Sequence, residues 1–334
     1  MKIHYDWRLA RVIDQVGNIL DEVVWDGRRT ASSVANRLSM TQNGRILPEV
    51  RDLMDRFPDA ILDPLGSISD PDWPPSDDDE DRLVNEASNF LARKGVADAA
   101  ENPDRRLDML VSATIELRSA WTTSEARCVE WSGLFISEAD LDLQRDEIPK
   151  AISEASDISG AAQLLGVSDP SQKPSDAEWK ALQNHAHLVV SLTRSLDEHE
   201  EAIREIAESH IPSLSALMGP LGSAKLVVLA GGRERLARMP SGSLQVLGAQ
   251  AAMSAHRRGA PPPKHGAILF SMPQVSRSPR WVRGKIARFI AGKASIAARV
   301  DHFGGKAWGK AEIDQINNEV EAIKAKFPRP PKRR

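Results

Sequence analysis

Cysteine and long apolar runs are scarce in this chain of 334 residues, and each scarcity excludes a class of protein. The single cysteine, Cys128, rules out an internal disulfide and a zinc site built from several cysteines. No apolar run approaches the ~18 residues of a membrane-spanning helix, and the first fifteen residues lack the apolar core of a secretion signal. We therefore expect a soluble, cytoplasmic protein with no membrane partner.

Motifs of catalysis are missing as well. The segment His199–Ile203 departs from the zinc-protease pattern HExxH at its last position, and Gly219, Gly222 and Lys225 lack the spacing of a phosphate-binding loop. No glycine-rich loop follows a strand in the way that binding of a dinucleotide or S-adenosylmethionine requires. Cys128 lies on an apolar helical seam, where a buried thiol is expected. The sequence predicts a protein with no catalytic residue, no metal and no cofactor.

Acidic residues are scarce in one part of the chain only. The whole chain has 44 basic and 47 acidic residues, a net charge of −3. Residues 218–334 hold 22 basic and 6 acidic residues, a net charge of +16, which leaves −19 for residues 1–217. This separation indicates that the C-terminal third binds nucleic acid.

The segment 261–301 concentrates that charge, because it contains eight Lys or Arg residues and one acid, Asp301. From Gly284 onward its apolar spacing predicts a helix, with cations and small residues on the other side. Such a stripe would let a ribose-phosphate strand lie close to the helix while its charge is neutralised. The alternative is a solvated helix face. The stripe consists of Lys285, Arg288, Gly292, Ser295 and Arg299.

The remaining pattern predicts a mainly α protein in four parts. Residues 1–81 form a small α+β domain that ends in an acidic linker over 67–81, and residues 82–212 form a long antiparallel coiled-coil hairpin. An all-α domain covers 213–311, and an amphipathic helix with a basic tail covers 312–334. A second Ala-rich helix is predicted over 243–258.

Two helices account for the hairpin. Apolar residues recur at alternating intervals of three and four from Leu107 to Phe135, and a second helix begins at Ser175, which forms a capping box with Glu178, and stops at Pro212. We expect these helices to pair with a second copy of the chain, or else with each other alone. The residues predicted at the dimer interface are Leu110, Leu117, Trp121, Trp131, Val189, Leu196 and Ile203.

The C-terminal block resembles a known family. The run RGKIAR (Arg283 to Arg288) followed by AARVD (Ala297 to Asp301) is similar to the Nop domain, and so is the surrounding sequence from Ala216 to Lys306. CVEWSGLFISEADL, residues 128–141, resembles the tip of the family's coiled coil. The likeness is to the archaeal members found in box C/D small ribonucleoproteins.

This resemblance implies a non-enzymatic scaffold. Its N-terminal domain would hold a fibrillarin-like methyltransferase, its coiled coil would form a homodimer, and its Nop domain would bind box C/D guide RNA at a kink-turn already occupied by a small ribosomal-type protein. The particle would carry out guide-directed ribose 2′-O-methylation. Alternatives are an RNA-modifying enzyme and an adaptor of another kink-turn particle without fibrillarin. The residues expected to bind RNA are Gln250, Lys264, His265, Arg280, Arg283, Lys285, Arg288 and Arg299.

Overall fold

A four-stranded sheet forms the N-terminal part of the computed structural model, which describes residues 1–330. Its strands are β1 (Lys2–Tyr5), β2 (Leu9–Ile13), β3 (Ile19–Val24) and β4 (Ile61–Asp63), in the order β3-β2-β1-β4. β1 pairs antiparallel with β2 and parallel with β4. Apolar residues of the first two strands supply one side of the core, which confirms a small α+β region.

Four helices complete this first unit, which extends from Met1 to Glu101. They are α1 (Ala31–Gln42), α2 (Pro48–Arg56), α3 (Gly66–Ser69) and α4 (Asp78–Glu101). α2 packs against the sheet through Val50 and Leu53. α4 packs against α1, where Ala87 joins the buried Val34 and Ala35. Because of that packing the first unit extends to residue 101, beyond the boundary at 81 that the sequence predicts.

Most of residues 67–81 are exposed, but the segment is attached to the first unit and does not form a free linker. The Arg8 guanidinium donates to the carbonyls of Pro74 and Pro75 at 2.7 and 3.1 Å and pairs with Glu80 at 2.8 Å. The acids that follow Asp77 form the first turn of α4. The N-terminal end of a helix carries a partial positive charge and therefore favours acidic side chains. The acidic run therefore begins a helix, and the segment before it is tied down by a buried arginine.

The second unit, from Asn102 onward, begins with the predicted hairpin. Its helices are α5 (Pro103–Gly133), α6 (Ile148–Glu154), α7 (Ile158–Leu164) and α8 (Asp176–His210). α5 and α8 run antiparallel, with Leu107 in the same core as Ile203 and the Trp121 indole donating to the Thr193 hydroxyl at 2.9 Å. α8 starts at the capping box that the sequence predicts at Ser175. The short helices α6 and α7 pack at the tip around Ile148, Ile152 and Ile158.

Nine helices follow in the described residues. They are α9 (Pro212–Met218), α10 (Pro220–Ala230), α11 (Arg233–Arg238), α12 (Ser241–Gln245), α13 (Gln250–Arg257), α14 (Ala267–Ser271), α15 (Pro273–Ser276), α16 (Arg283–Phe303) and α17 (Lys310–Lys326). All of them except α13 contribute to one core with the base of the hairpin, and α16 lies at its centre. The fold class predicted from the sequence is confirmed.

Two boundaries differ from prediction in this region. The helix expected over 243–258 is divided into α12 and α13, because Gly248 adopts the left-handed conformation, φ 82°, that ends a helix. α17 places Ile316 and Val320 in the same core as α16, so it belongs to the preceding all-α region. Of the predicted basic tail, residues 331–334 lie outside the described residues.

Among residues 1–330, no single helix is long and apolar enough to cross a membrane. α9 and α10 meet the length and composition only as a pair bent by 117°.

Candidate nucleic-acid interface

α16 presents one polar face, and its other sides are buried. Ile286, Ile290 and Ala294 are fully buried in the core. The exposed side carries Lys285, Arg288, Gly292, Ile296 and Arg299, which we call the cation face. Ser295, which the sequence places on this stripe, is only 4% exposed, and Ile296 takes its position with 49% exposed. The cation face is therefore a mixed surface with an apolar residue between two arginines.

Among the arginines predicted to bind RNA, Arg280 and Arg288 are the two whose side chains make no contact that holds the fold together. Both side chains are exposed, and neither makes a hydrogen bond or an ion pair within residues 1–330. Gly292 lies one turn beyond Arg288, and a Cβ added to it would meet no atom within 4 Å. A phosphate strand could therefore approach the helix backbone here and find an unpaired guanidinium beside it.

Arg283 and Arg299 hold parts of the fold together. The Arg283 guanidinium is half-buried and donates to the Ser276 and Ser278 carbonyls, both at 2.8 Å. Arg299 donates to the Ala237 carbonyl at 3.1 Å, at the C-terminal end of α11. A cation at a helix C-terminus is favoured by the helix dipole. These two residues thus have structural roles, although Arg299 also remains exposed.

Asp301, the only acid of the segment 261–301, finds its hydrogen-bond donors within the protein. The Asp301 carboxylate accepts hydrogen bonds from the backbone N–H groups of Ser213 and Leu214, both at 2.9 Å. It thereby caps the first turn of α9, where N–H groups have no partner within the helix. This contact gives a physical reason for the aspartate in AARVD and removes its charge from the cation face.

α17 covers one flank of α16. The Lys285 ammonium lies 4.2 Å from the centroid of the Phe327 ring, and the Trp281 indole donates to the Phe327 carbonyl at 2.9 Å. Farther along, Lys293 pairs with Glu319 at 3.3 Å. The terminal helix thus engages cations on one side and leaves Arg288 free on the other.

The turn before α14 is held in place by α12. The Gln245 amide donates to the Lys264 carbonyl at 2.6 Å, and the Gly266 N–H donates to the Gln245 carbonyl at 2.7 Å. A Cβ on Gly266 would lie 1.8 Å from the Leu247 carbonyl oxygen, so only glycine permits this approach. Lys264 and His265 are consequently fixed beside the start of α16, where the Lys264 side chain lies against Gly284.

Gln250 is the first residue of α13 and is exposed. α13 buries none of its residues, and beside it lies a groove of about 410 Å³ lined by Val246, Leu247 and Met253. The amide can donate to or accept from a ligand that covers this groove. Sequence reasoning missed Phe270 and Ile296, exposed apolar residues next to the predicted cations; their isolated positions in basic stretches were the available signal.

Three of the seven residues predicted at a dimer interface are buried inside the hairpin. Val189, Leu196 and Ile203 are at most 2% exposed and pack within the chain itself. The remaining four residues are half-buried along the α5–α8 seam. Within the hairpin, the large exposed apolar side chains of α5 and α8 are Met109, Ile115 and Leu188.

The part of the chain that the structure describes contains no metal site built from acidic, histidine or cysteine side chains. No cluster of three or more His, Cys, Asp or Glu residues has the arrangement to hold a metal ion. Burial raises the pKa of the Cys128 thiol to about 11, which disfavours the reactive thiolate.

Comparison with known proteins assigns the chain to a family. The Nop model, described as a snoRNA binding domain with fibrillarin, matches residues 126–322. An uncharacterized NOP5 family protein of Methanocaldococcus jannaschii is 29% identical over 261 residues, 73% of this chain and 63% of the relative. Nucleolar protein 56 of Caenorhabditis elegans is 35% identical over 44% of this chain and 31% of its own length. The U4/U6 small nuclear ribonucleoprotein Prp31 of mouse is 29% identical over 48% and 32%.

Among solved structures, a chain of a fibrillarin/Nop5p complex aligns with 90% of this chain and 96% of its own, at 21% identity and a TM-score of 0.44. The chain spans less than two thirds of the length of the curated relatives that it matches. The Nop model covers more than half of the chain, including the hairpin tip, α16 and most of α17. This protein therefore belongs to the Nop family.

Proposed function

We propose that this protein is the scaffold subunit of a box C/D small ribonucleoprotein. It binds guide RNA at a kink-turn and positions a fibrillarin-like methyltransferase for guide-directed ribose 2′-O-methylation, and it contributes no catalytic group itself. The observation that carries the proposal is the cation face of α16 in a Nop-family chain, with Arg288 unpaired within residues 1–330 beside an open Gly292. Phosphate contacts supply much of the affinity of such a surface.

Arg288 gives the direct test of the RNA site. Replacing Arg288 with Ala should weaken binding of a kink-turn RNA, preloaded with its small protein, by about 1 kcal/mol, and should lower the salt slope by about one unit. Arg127, exposed on α5 and paired there with Glu130, is a matched control whose replacement should leave both quantities unchanged. Equal affinity and slope for wild type and Arg288→Ala across the salt series would place the RNA site elsewhere.

The first unit is the proposed docking site for the methyltransferase. Residues 1–101 form a separate compact unit, and α4 packs on α1, so a deletion must end after Glu101 to remove the unit whole. A reconstituted particle with residues 102–334 should bind RNA and lose 2′-O-methylation. Methylation that persists at the guided nucleotide would show that this unit has another role.

The alternative is an adaptor of another kink-turn particle without fibrillarin. The similarity to mouse Prp31 over 48% of this chain favours keeping this alternative. Purification of the native particle separates the two proposals, because only the first expects a methyltransferase to be recovered with the protein and its RNA.

A further inference from the structure

A cleft of about 430 Å³ lies at the base of the hairpin, between the start of α5 and α11. Three arginines line it, one from α5 and two from α11, and all three side chains are exposed. We call Arg105, Arg235 and Arg238 the arginine cleft. Neither the cation face nor the predicted dimer interface includes any of them, so this surface has no ligand assigned to it.

The guanidinium groups of the arginine cleft are available to a ligand. Arg235 makes no hydrogen bond or ion pair within residues 1–330. Arg238 pairs with Glu234 at 2.9 Å, and these side chains are 68% and 62% exposed. Arg105 is 3.9 Å from Asp108. Because exposed ion pairs contribute little stability, a phosphate group can take the place of either carboxylate.

The base of the hairpin differs in charge from the rest of it. Residues 102–108 and 231–238, which form the two walls of the cleft, hold five arginines and three acids, a net charge of +2. Residues 109–217 hold 8 basic and 19 acidic residues, a net charge of −11. An RNA strand is therefore repelled along most of the hairpin and can be bound only at its base.

The arginines of α5 oppose the dipole of their own helix. Arg105 and Arg106 lie in the first turn of α5, where the partial positive charge of a helix disfavours cations. Neither side chain contacts another element through a hydrogen bond or ion pair within residues 1–330. Residues that contradict a local preference without an internal partner are typical of functional sites. An anionic ligand would interact favourably with both the arginines and the helix terminus.

The arginine cleft continues the cation face of α16. Arg299, the last residue of the cation face, donates to the Ala237 carbonyl at 3.1 Å, and Ala237 directly precedes Arg238 in α11. A strand that passes Arg299 therefore meets α11 next and the arginine cleft after it.

We propose that the arginine cleft binds phosphates of the single-stranded RNA that flanks the kink-turn. The RNA then extends from the cation face over α11 to the base of the hairpin. This inference rests on the proposed function and deepens it, because it adds a second segment of RNA to the one bound at α16. The contacts are made to phosphate, so they position the strand without reading its sequence.

A series of RNA lengths tests the proposal with the full chain. The minimal kink-turn RNA, preloaded with its small protein, is compared with the same RNA extended by about eight unpaired nucleotides at its 5′ or 3′ end. One of the two extensions should tighten binding to the wild type and steepen the salt slope. Arg105→Ala or Arg235→Ala should each lower that slope by about 0.7 units, which corresponds to roughly fivefold weaker binding at 0.1 M salt.

Both variants should bind the minimal RNA as the wild type does. Arg127→Ala, on the exposed surface of α5, is the control and should leave binding of every RNA unchanged. A loss of affinity that is equal for the minimal and the extended RNA would contradict the proposal, because it would mean that these arginines act on the kink-turn itself.

Glu234→Gln separates the effect of charge from that of folding, since an unfolded chain cannot bind more tightly. It removes a negative charge and the partner of Arg238, so it should tighten binding of the extended RNA and leave that of the minimal RNA unchanged. Equal affinity of the wild type for the minimal and both extended RNAs would overturn this inference alone. Failure of the wild type to bind the preloaded minimal RNA would overturn the proposed function and this inference with it.

Discussion

Arg283 and Arg288 carry the same charge on the same helix, but their surroundings differ. Arg283 is half-buried and donates two hydrogen bonds to backbone carbonyls, whereas Arg288 is exposed and unpaired among residues 1–330. Loss of Arg283 leaves carbonyls without their partner, which affects stability before it affects RNA binding. Sequence spacing places both residues at the start of α16 and cannot separate these roles, because the acceptors of Arg283 lie in the preceding loop.

Gly292 tests how closely RNA approaches the cation face. Gly292→Ala should raise the free energy of unfolding by about 0.5–1 kcal/mol, because glycine in a helix interior is destabilising and the new Cβ meets no atom of the protein. The same change should weaken RNA binding by on the order of 1 kcal/mol, because the methyl group occupies space next to the bound strand. Urea unfolding and RNA titration measure the two effects.

Gly95 is the matched control for Gly292, because it also lies inside a helix, α4, and has open space at its Cβ. Gly95→Ala should stabilise the protein similarly and leave RNA affinity unchanged. An unaltered affinity for Gly292→Ala would mean that no strand lies against this part of α16.

At the scale of elements, Asp104 joins three of them. Its carboxylate accepts from the His210 imidazole at the end of α8 and from the Arg233 N–H at the start of α11, both at 2.8 Å, while Asp104 itself lies in the first turn of α5. Burial acts to raise the pKa of the Asp104 carboxyl, but these hydrogen bonds outweigh it and hold the pKa below its ordinary value. The ionised form is therefore the one that the fold stabilises.

This junction predicts a pH dependence of stability. A carboxyl with a lowered pKa in the folded state contributes stability above its unfolded pKa, and that contribution is lost as pH falls through the folded pKa. Asp104→Asn should lower the free energy of unfolding by on the order of 2 kcal/mol at pH 7, and the difference from wild type should shrink between about pH 5 and pH 3. Urea titrations at several pH values measure it; a difference that stays constant with pH would contradict the assignment.

At the scale of the whole molecule, we expect self-association through the outer surface of the hairpin. Three of the predicted interface residues are buried within the chain, whereas Met109, Ile115 and Leu188 on the same hairpin are 64%, 57% and 48% exposed and available to a second copy. Ile115→Lys should reduce the molar mass from light scattering at tens of micromolar toward that of the monomer, because a buried unpaired charge is costly. Arg127→Lys is the control. A wild-type chain that is strictly monomeric would refute self-association.

Several predictions could be made from the sequence because their causes are local. The capping box at Ser175 and the stop at Pro212 fix both ends of α8, and the apolar spacing after Gly284 fixes α16. The strands β1 and β2 were missed, because each is short and both contain a buried or half-buried polar residue, such as Arg11, whose partner Glu22 lies on β3. The division of 243–258 was missed because the conformation of Gly248 is not visible in composition.

The sequence by itself determined the helical hairpin, the charge separation and the family, since periodicity, net charge and motif similarity are properties of the chain alone. Only the tertiary structure decided which residues remain free to bind. Asp301 accepts hydrogen bonds from the first turn of α9, and the Lys285 ammonium contacts the Phe327 ring. Arg283 donates to the loop before α16, and Val189 is buried in the hairpin core. The Arg288 side chain, in contrast, is exposed. The physical reason is that hydrogen-bond partners and apolar neighbours of a side chain often come from distant parts of the chain. Whether a side chain is free to bind a ligand depends on whether folding brings such a partner to it.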